Sequence, residues 1–218
     1  MIKISKRLET ISGLVPINSN VIDIGCDHGL LSIYLFENNI SNNIIASDIN
    51  ENALNNARDN IKKYSVNIET RLGNGLDVIN ENDNIDTIIV SGMGAHTIIG
   101  MFKNNISKLS KIKTIIIQSN TKLLFLRKEM IKLNYMITDE EIVKDNGKIY
   151  TIIKYEKGYK KYSKKELYFG PILLKKSSDL FKEKKKSDLE KLELLLKLLP
   201  KNKIIDRFKI KREIRLYK

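Results

Sequence analysis

The chain is poor in the residues that mark several common chemistries. Its 218 residues include one cysteine, Cys26, and two histidines, His28 and His96. A single cysteine excludes an internal disulfide and points to a reducing compartment. No Cys, His and carboxylate grouping has the spacing of a metal site, so no metal is expected. No apolar run approaches the ~20 residues a membrane-spanning helix requires, and the N-terminal stretch lacks a signal-peptide pattern. No glycine-rich loop ends in Lys-Ser or Lys-Thr, which excludes the common nucleoside-triphosphate cradle. There is no internal repeat. What remains is a soluble cytoplasmic protein, expected as a monomer without membrane contact, with 42% hydrophobic residues to build a core.

Charge is unevenly distributed. Residues 1–155 hold 18 Lys and Arg against 17 Asp and Glu, whereas residues 156–218 hold 21 against 9. Nearly all of the net +13 therefore sits on the last 63 residues. A uniform lysine bias would not concentrate it there. A basic segment beside a neutral body is the electrostatic mark of a polyanion binder, most often a nucleic acid. A solvated helical surface or a membrane-surface helix is the plainer reading.

Residues 3–14 carry Ile4, Leu8, Ile11 and Leu14 at helical spacing, ended by Gly13 and Pro16. Beyond them strands alternate with helices. Strands are expected at 21–24, 44–47, 66–71, 86–90 and 114–117, and helices at about 29–39, 50–63, 95–109 and 123–133. Asn50 is a plausible N-cap for the second of these helices. Two last strands, near 135–143 and 149–155, flank Asn146-Gly147, a hairpin turn. This alternation implies a parallel sheet covered by helices on both faces, closed by an antiparallel edge strand. Five strands end in polar or glycine clusters, at 25–29, Asp48, 73–75, 91–94 and 118–120. Ligands of open α/β sheets bind outside the carboxyl ends of the strands, so these clusters should line one cleft.

From about residue 156 the texture changes. Phe169-Gly170-Pro171 is a break, and 178–199 is charged and helical, with Leu189, Leu192, Leu196 and Leu199 at coiled-coil spacing. Pro200 ends that helix. A second helix over 202–217 should pack through Ile205 and Phe208, making a helical coiled-coil hairpin. Two domains are thus expected: an α/β domain over 1–155 and a basic helical domain over 156–218 that suits a polyanion.

The stretch Val21-Ile22-Asp23-Ile24-Gly25-Cys26-Asp27-His28-Gly29 organises the first half. It departs from the dinucleotide fingerprint Gly-x-Gly-x-x-Gly. It fits better the acidic-x-Gly-x-Gly-x-Gly turn of enzymes that use S-adenosylmethionine (SAM), with Asp27 replacing the middle glycine. Gly25 permits close backbone approach to a ligand. Asp23 can accept from the ligand's ammonium group. Asp48, 23 residues after Gly25, stands where doubly wound folds bind ribose hydroxyls, with Ile49 beside it.

With these residues placed, the chain resembles a family of bacterial SAM-dependent tRNA methyltransferases that act on N1 of adenine 22 in the D-arm. The resemblance rests on Arg7-Leu8, Asp23-Ile24-Gly25-Cys26-Asp27-His28, Ala46-Ser47-Asp48, Arg71-Leu72-Gly73-Asn74-Gly75-Leu76, Gly92-Met93-Gly94, Gln118-Ser119-Asn120 and Phe169-Gly170-Pro171. It covers most of the chain. Departures are Ala95 after Gly94, Ser119 where the family has proline, and no Gly-Pro after the second strand.

The resemblance implies a Rossmann-like class I methyltransferase sheet with SAM as cofactor and tRNA as partner. It implies a cofactor set of Asp23, Gly25, Asp27, Asp48, Ile49, Asn74, Gly75 and Gly92. Arg7, Met93 and Asn120 are the expected substrate contacts. Asp27 and His28 are the candidate catalytic pair: Asp27 to accept from the adenine N6 amine and stabilise developing charge, His28 to orient it. His96 and Cys26 read as structural residues. No Asp/Asn-Pro-Pro-Tyr/Phe motif follows the fourth strand, which argues against an exocyclic amine as methyl acceptor. Two alternatives remain open, a SAM enzyme acting on another RNA base or a small molecule, and a non-catalytic RNA-binding module.

Overall fold

The computed structural model describes residues 2–217. In chain order, α1 (Lys6–Ser12) precedes β1 (Asn20–Ile24), α2 (Leu30–Glu37), β2 (Asn43–Asp48), α3 (Glu51–Lys63) and β3 (Glu69–Leu72). There follow β4 (Thr87–Met93), α4 (Ala95–Asn104), α5 (Ile106–Leu109), β5 (Thr114–Ser119), α6 (Leu123–Lys132), β6 (Tyr135–Asp145) and β7 (Lys148–Lys157). The chain ends in α7 (Lys164–Phe169), α8 (Pro171–Lys176), α9 (Asp179–Leu198) and α10 (Ile204–Ile214).

The strands form one seven-stranded sheet in the order β3-β2-β1-β4-β5-β7-β6. The middle strands are apolar without alternation because both faces are covered. Ile22, Ile24, Ile88 and Val90 pack on one side with Ile98 and Phe102 of α4. Val21, Ile89 and Ile116 pack on the other with Leu31 of α2 and Leu54 of α3. As expected, the Asn50 side chain caps α3, accepting from the amides of Asn52 and Ala53. The chain runs outward from β1 through β2 and β3, then returns to β4 on the opposite side. The switch point of the topology therefore lies between β1 and β4, where an open α/β sheet offers a crevice.

The expected antiparallel edge is present: β7 pairs antiparallel with β5 on one side and with β6 on the other, and β6 forms the edge. The tight Asn146-Gly147 turn, with both residues at positive φ, folds β7 back inside β6. Burial fits this order: the adjacent residues Ile152 and Ile153 of β7 point to opposite faces and are both fully buried, so both faces of that strand are covered.

In the tail, Ser163 and Glu166 form a capping box at the start of α7, and Ser178 caps α9. Leu189, Leu192, Leu196 and Leu199 are half-buried, consistent with one packing face. The expectation for α10 is overturned: Ile205 and Phe208 are 72% and 62% exposed. The short turn after Pro200 rotates α10 so that Arg207 and Ile210 face inward. The Arg207 guanidinium donates to the carbonyls of Leu196 (2.8 Å) and Leu199 (2.6 Å), which satisfies the end of α9.

Candidate active site

The rim at the carboxyl ends of β1 to β5 is tied together by short polar contacts. After β1 the chain turns sharply, and the amides of Gly25 and Cys26 donate to the Ser47 carbonyl of β2 (2.8 and 3.0 Å). A Cβ at position 25 would lie 2.5 Å from Met93 Cε. The loops after β1 and β4 therefore touch across the switch point, and glycine is what allows it. The Asp27 amide donates to Asp48 Oδ2 (3.2 Å), and the Asn50 amide donates to Asp48 Oδ1 (2.9 Å). Each carboxylate oxygen keeps a lone pair for a further donor. The Gly73 amide donates to the Asp48 carbonyl (3.0 Å), bringing the β3 turn to the same place. Ile49 (69% exposed) and Leu72 (50%) flank Asp48 as uncovered apolar groups. Leu72 pairs in register with Asp48 and was not expected as a site residue.

Asp23 lies beneath this loop. It is buried, accepts from Ser32 Oγ (2.9 Å), and has its pKa pushed up to about 6, chiefly by desolvation. The Ser32 hydrogen bond opposes that shift and nearby Asp48 adds to it. A buried carboxylate with one neutral donor is short of a cation. Burial also pushes the Cys26 thiol far up, with Asp23 and Asp48 adding to the effect, so the thiolate that would act as a nucleophile is disfavoured.

On the β4 and β5 side, Gln118 is the hub, and sequence reasoning did not single it out as a site residue. It is fully buried, and its amide oxygen accepts from Arg7 Nη1 (2.7 Å), Ser91 Oγ (3.1 Å) and the Gly92 amide (3.1 Å). Its amide nitrogen donates to Asn120 Oδ1 (3.0 Å), and Asn120 Nδ2 donates to the Gly92 carbonyl (2.7 Å). The β4–β5 register shifts between Ser91 and Met93, a bulge that pushes Gly92 toward the rim. Arg7 also donates to Ser91 Oγ (2.6 Å), and its guanidinium lies over the Tyr150 ring at 5.4 Å. Arg7, Met93, Gly92 and Asn120 thus stand together at this end of the sheet.

Other candidates sit differently. Asp27 is exposed at positive φ, with His28 Nε2 3.7 Å from its Oδ1 and both side chains more than half exposed. Neither caps α2, whose N-cap is Gly29 without a side-chain bond. Asn74 is exposed, whereas Gly75 is buried, and a Cβ there would run into Met101 of α4. His96 packs at a tilt against Phe125, with ring centroids 4.3 Å apart, and its Nε2 lies 2.9 Å from Lys122 Nζ. Among the described residues no group of three or more His, Cys, Asp or Glu could hold a metal, and no helix is long and apolar enough to cross a membrane.

Past Asn120 the rim opens into a groove of about 1360 Å³. Its walls are the 119–124 segment, the β6–β7 hairpin and α9, which contributes Lys184, Lys185 and Lys191.

A family model described as TrmK, tRNA (adenine(22)-N(1))-methyltransferase, matches residues 21–218. The chain is 29% identical over 197 residues to the tRNA (adenine(22)-N(1))-methyltransferase of Bacillus subtilis (strain 168), covering 87% of this chain and 82% of that one. Two solved structures superpose along nearly the full length. A Streptococcus pneumoniae protein in complex with S-adenosyl-L-methionine has TM-score 0.90 and 30% identity, over 99% of this chain and 98% of that chain. M. capricolum TrmK in complex with S-adenosyl-homocysteine has TM-score 0.88 and 30% identity, over 98% of this chain and 96% of that chain.

Proposed function

We infer the reaction from membership: this chain belongs to the tRNA (adenine(22)-N(1))-methyltransferase family. It is a SAM-dependent enzyme that methylates N1 of adenine 22 in tRNA. The observation that supports this reading is the rim, where Asp48, Gly25, Met93, Gly92, Asn120 and Arg7 are joined by contacts among four strand ends and α1.

The residues fit the cofactor. Asp48 has spare lone pairs for two ribose hydroxyls, and Ile49 and Leu72 offer apolar walls for an adenine beside them. Gly25 leaves room for close approach, and the cation-deficient Asp23 suits an ammonium group. Asn74 lies at the same end of the sheet and is assigned to the adenine edge. SAM supplies an electrophilic methyl group on a sulfonium.

Everything else the chain does is alignment and charge. Adenine N1 carries a free lone pair, so no base must first remove a proton. Holding the acceptor in line and close therefore provides much of the acceleration. Arg7, Met93 and Asn120 hold the unstacked adenine, which must leave its stack to reach the rim. Methylation makes the base cationic, and Asp27, exposed on the β1 loop, accepts from its N6 amine and stabilises that charge, with His28 beside it. Residues 1–155 form the catalytic part, and the basic segment 156–218 grips RNA phosphates, as shape-read A-form RNA allows.

Incubation of unmodified tRNA with labelled SAM, followed by reverse transcription, tests the assignment. A strong stop next to position 22 is the expected outcome, because methylated N1 cannot pair. Label incorporation with read-through at that position would contradict it, and no incorporation into any RNA would favour a binding module.

A further inference from the structure

The base of the tail is held by a buried ion pair. Arg127 of α6 is 1% exposed and Glu140 of β6 is fully buried. Arg127 Nε donates to Glu140 Oε1 (2.9 Å), and Nη2 lies 2.8 Å from the same oxygen without hydrogen-bond geometry. Arg127 Nη1 donates to the carbonyls of Leu167 and Tyr168, the last turn of α7 (3.2 and 3.1 Å). Glu140 Oε2 accepts from the amides of Ile172 and Leu173, the first turn of α8 (2.9 and 3.4 Å). The cation therefore faces the negative end of one helix and the anion the positive end of the next. Gly170, between them at φ +101°, makes this possible, since a Cβ there would come within 2.5 Å of both Glu140 carboxylate oxygens. Burial raises the Glu140 carboxyl, and Arg127 and both amides oppose that shift.

The pair's place in the fold is what gives it consequence. Arg127 lies one turn along α6, the helix that starts just after Asn120, and α9 begins two residues after α8. Arg127 and Phe169 contribute to the lining of the groove between the rim and the lysines of α9. We propose that Arg127 and Glu140 are a positioning pair that sets the offset between the acceptor rim and the RNA-gripping tail, so that one tRNA engages both at once. This rests on the reading that the tail binds tRNA. Two contacts at a fixed spacing act as one bivalent site, and loosening the spacing removes the gain in effective concentration without touching either contact.

The test uses the full chain carrying Arg127→Met with Glu140→Leu, which replaces a buried pair by apolar groups of similar size, an exchange proteins often tolerate. SAM affinity should stay at the parent value and the KM for tRNA should rise about tenfold or more, with kcat per SAM-binding site retained. Small-angle scattering should show the tail spread from the body. Loss of stability alone would lower the active fraction and leave KM unchanged, and that outcome overturns the proposal. Should the double variant not fold, Arg127→Lys and Gly170→Ala are read by the same split. Arg127→Lys keeps the charge but not the fork to both carbonyls, and should give an intermediate KM. As a separate arm, Lys184→Glu with Lys185→Glu and Lys191→Glu should also raise KM. If it does and the pair variants do not, only the positioning role fails; if it does not, the tail reading fails with it.

Discussion

Replacing Gln118 by leucine should disable the acceptor side of the rim while leaving the sheet intact. The side chain is fully buried on β5 and makes four hydrogen bonds, to Arg7, Ser91, Gly92 and Asn120. The bond to the Arg7 guanidinium contributes about 1.5–3 kcal/mol and the neutral ones about 0.5–1.5 kcal/mol each. These do not add fully. Arg7 keeps Ser91 Oγ at 2.6 Å and the Tyr150 face, water can reach Gly92 and Asn120, and leucine fills the volume. A net loss of about 3 kcal/mol is the reasoned figure. For a chain of this size that lowers Tm by roughly 6–12 °C. Activity should fall further than stability implies, because Asn120 loses the donor that orients it and Gly92 its acceptor. A displacement of about 1 Å costs on the order of 100-fold in turnover. Differential scanning fluorimetry, SAM titration and methyl transfer to tRNA at 25 °C, measured together, separate the effects. The expected pattern is a lower Tm, SAM affinity changed far less than turnover, and turnover down about 100-fold. Gln118→Glu keeps an acceptor for Arg7, Ser91 and Gly92 but sets a carboxylate oxygen against Asn120 Oδ1 in place of the donor, and should fall between. Parent Tm and parent turnover in the leucine variant would refute the claim that Gln118 organises the acceptor pocket.

Asp23 gives a pH dependence with a definite sign. Its folded pKa of about 6 lies above its ordinary 3.8, so between those values the folded chain holds a proton that the unfolded chain releases, and stability falls as pH rises. Above pH 6 the full cost is present, on the order of 3 kcal/mol for a shift of about two units. Asp23→Asn should therefore raise the Tm of the ligand-free protein at pH 7.5, match the parent below pH 4, and weaken SAM binding. SAM affinity of the parent should climb about tenfold per pH unit up to about pH 6 and then level off, as isothermal titration across pH 5 to 8 would show; a flat profile would remove Asp23 from the ammonium site. Cys26, buried with its thiol pushed up, should remain unalkylated by iodoacetamide at pH 8 until the chain is unfolded, as intact-mass spectrometry would record. Binding of tRNA should weaken steeply with salt, and the log–log slope should shallow when lysines of α9 are neutralised; an unchanged slope would mean those lysines do not meet phosphates.

The parts of this fold that were legible in the sequence are those with a local cause. Apolar runs bounded by glycine or asparagine located the strands, and Leu54, Ala57 and Ile61 behind Asn50 located α3 and its cap. Asn146-Gly147 located the hairpin. The strand ends carried enough glycine and polar residues to place Asp48, Gly25, Met93 and Asn120 on one rim. What could not be read depended on partners far apart in the chain. Nothing near Arg7 announces Ser91 or Gln118, and nothing near Arg127 announces Glu140 or the helix ends it joins. The inner position of β7 fits the burial of Ile152 and Ile153 on opposite faces, which periodicity alone does not distinguish from an edge. Ile205 and Phe208 misled because helical spacing identifies a face but not its direction, and Arg207 settles which way α10 turns.

The central claim is that this rim delivers a methyl group to N1 of one adenine in tRNA. Two transcripts, identical except for adenine or guanine at position 22, can be treated with the enzyme and SAM, digested to nucleosides and analysed by mass spectrometry. The account predicts 1-methyladenosine approaching one per molecule from the adenine transcript and none from the other. Equal yields of 1-methyladenosine from both, or a different methylated nucleoside from the adenine transcript, would contradict it.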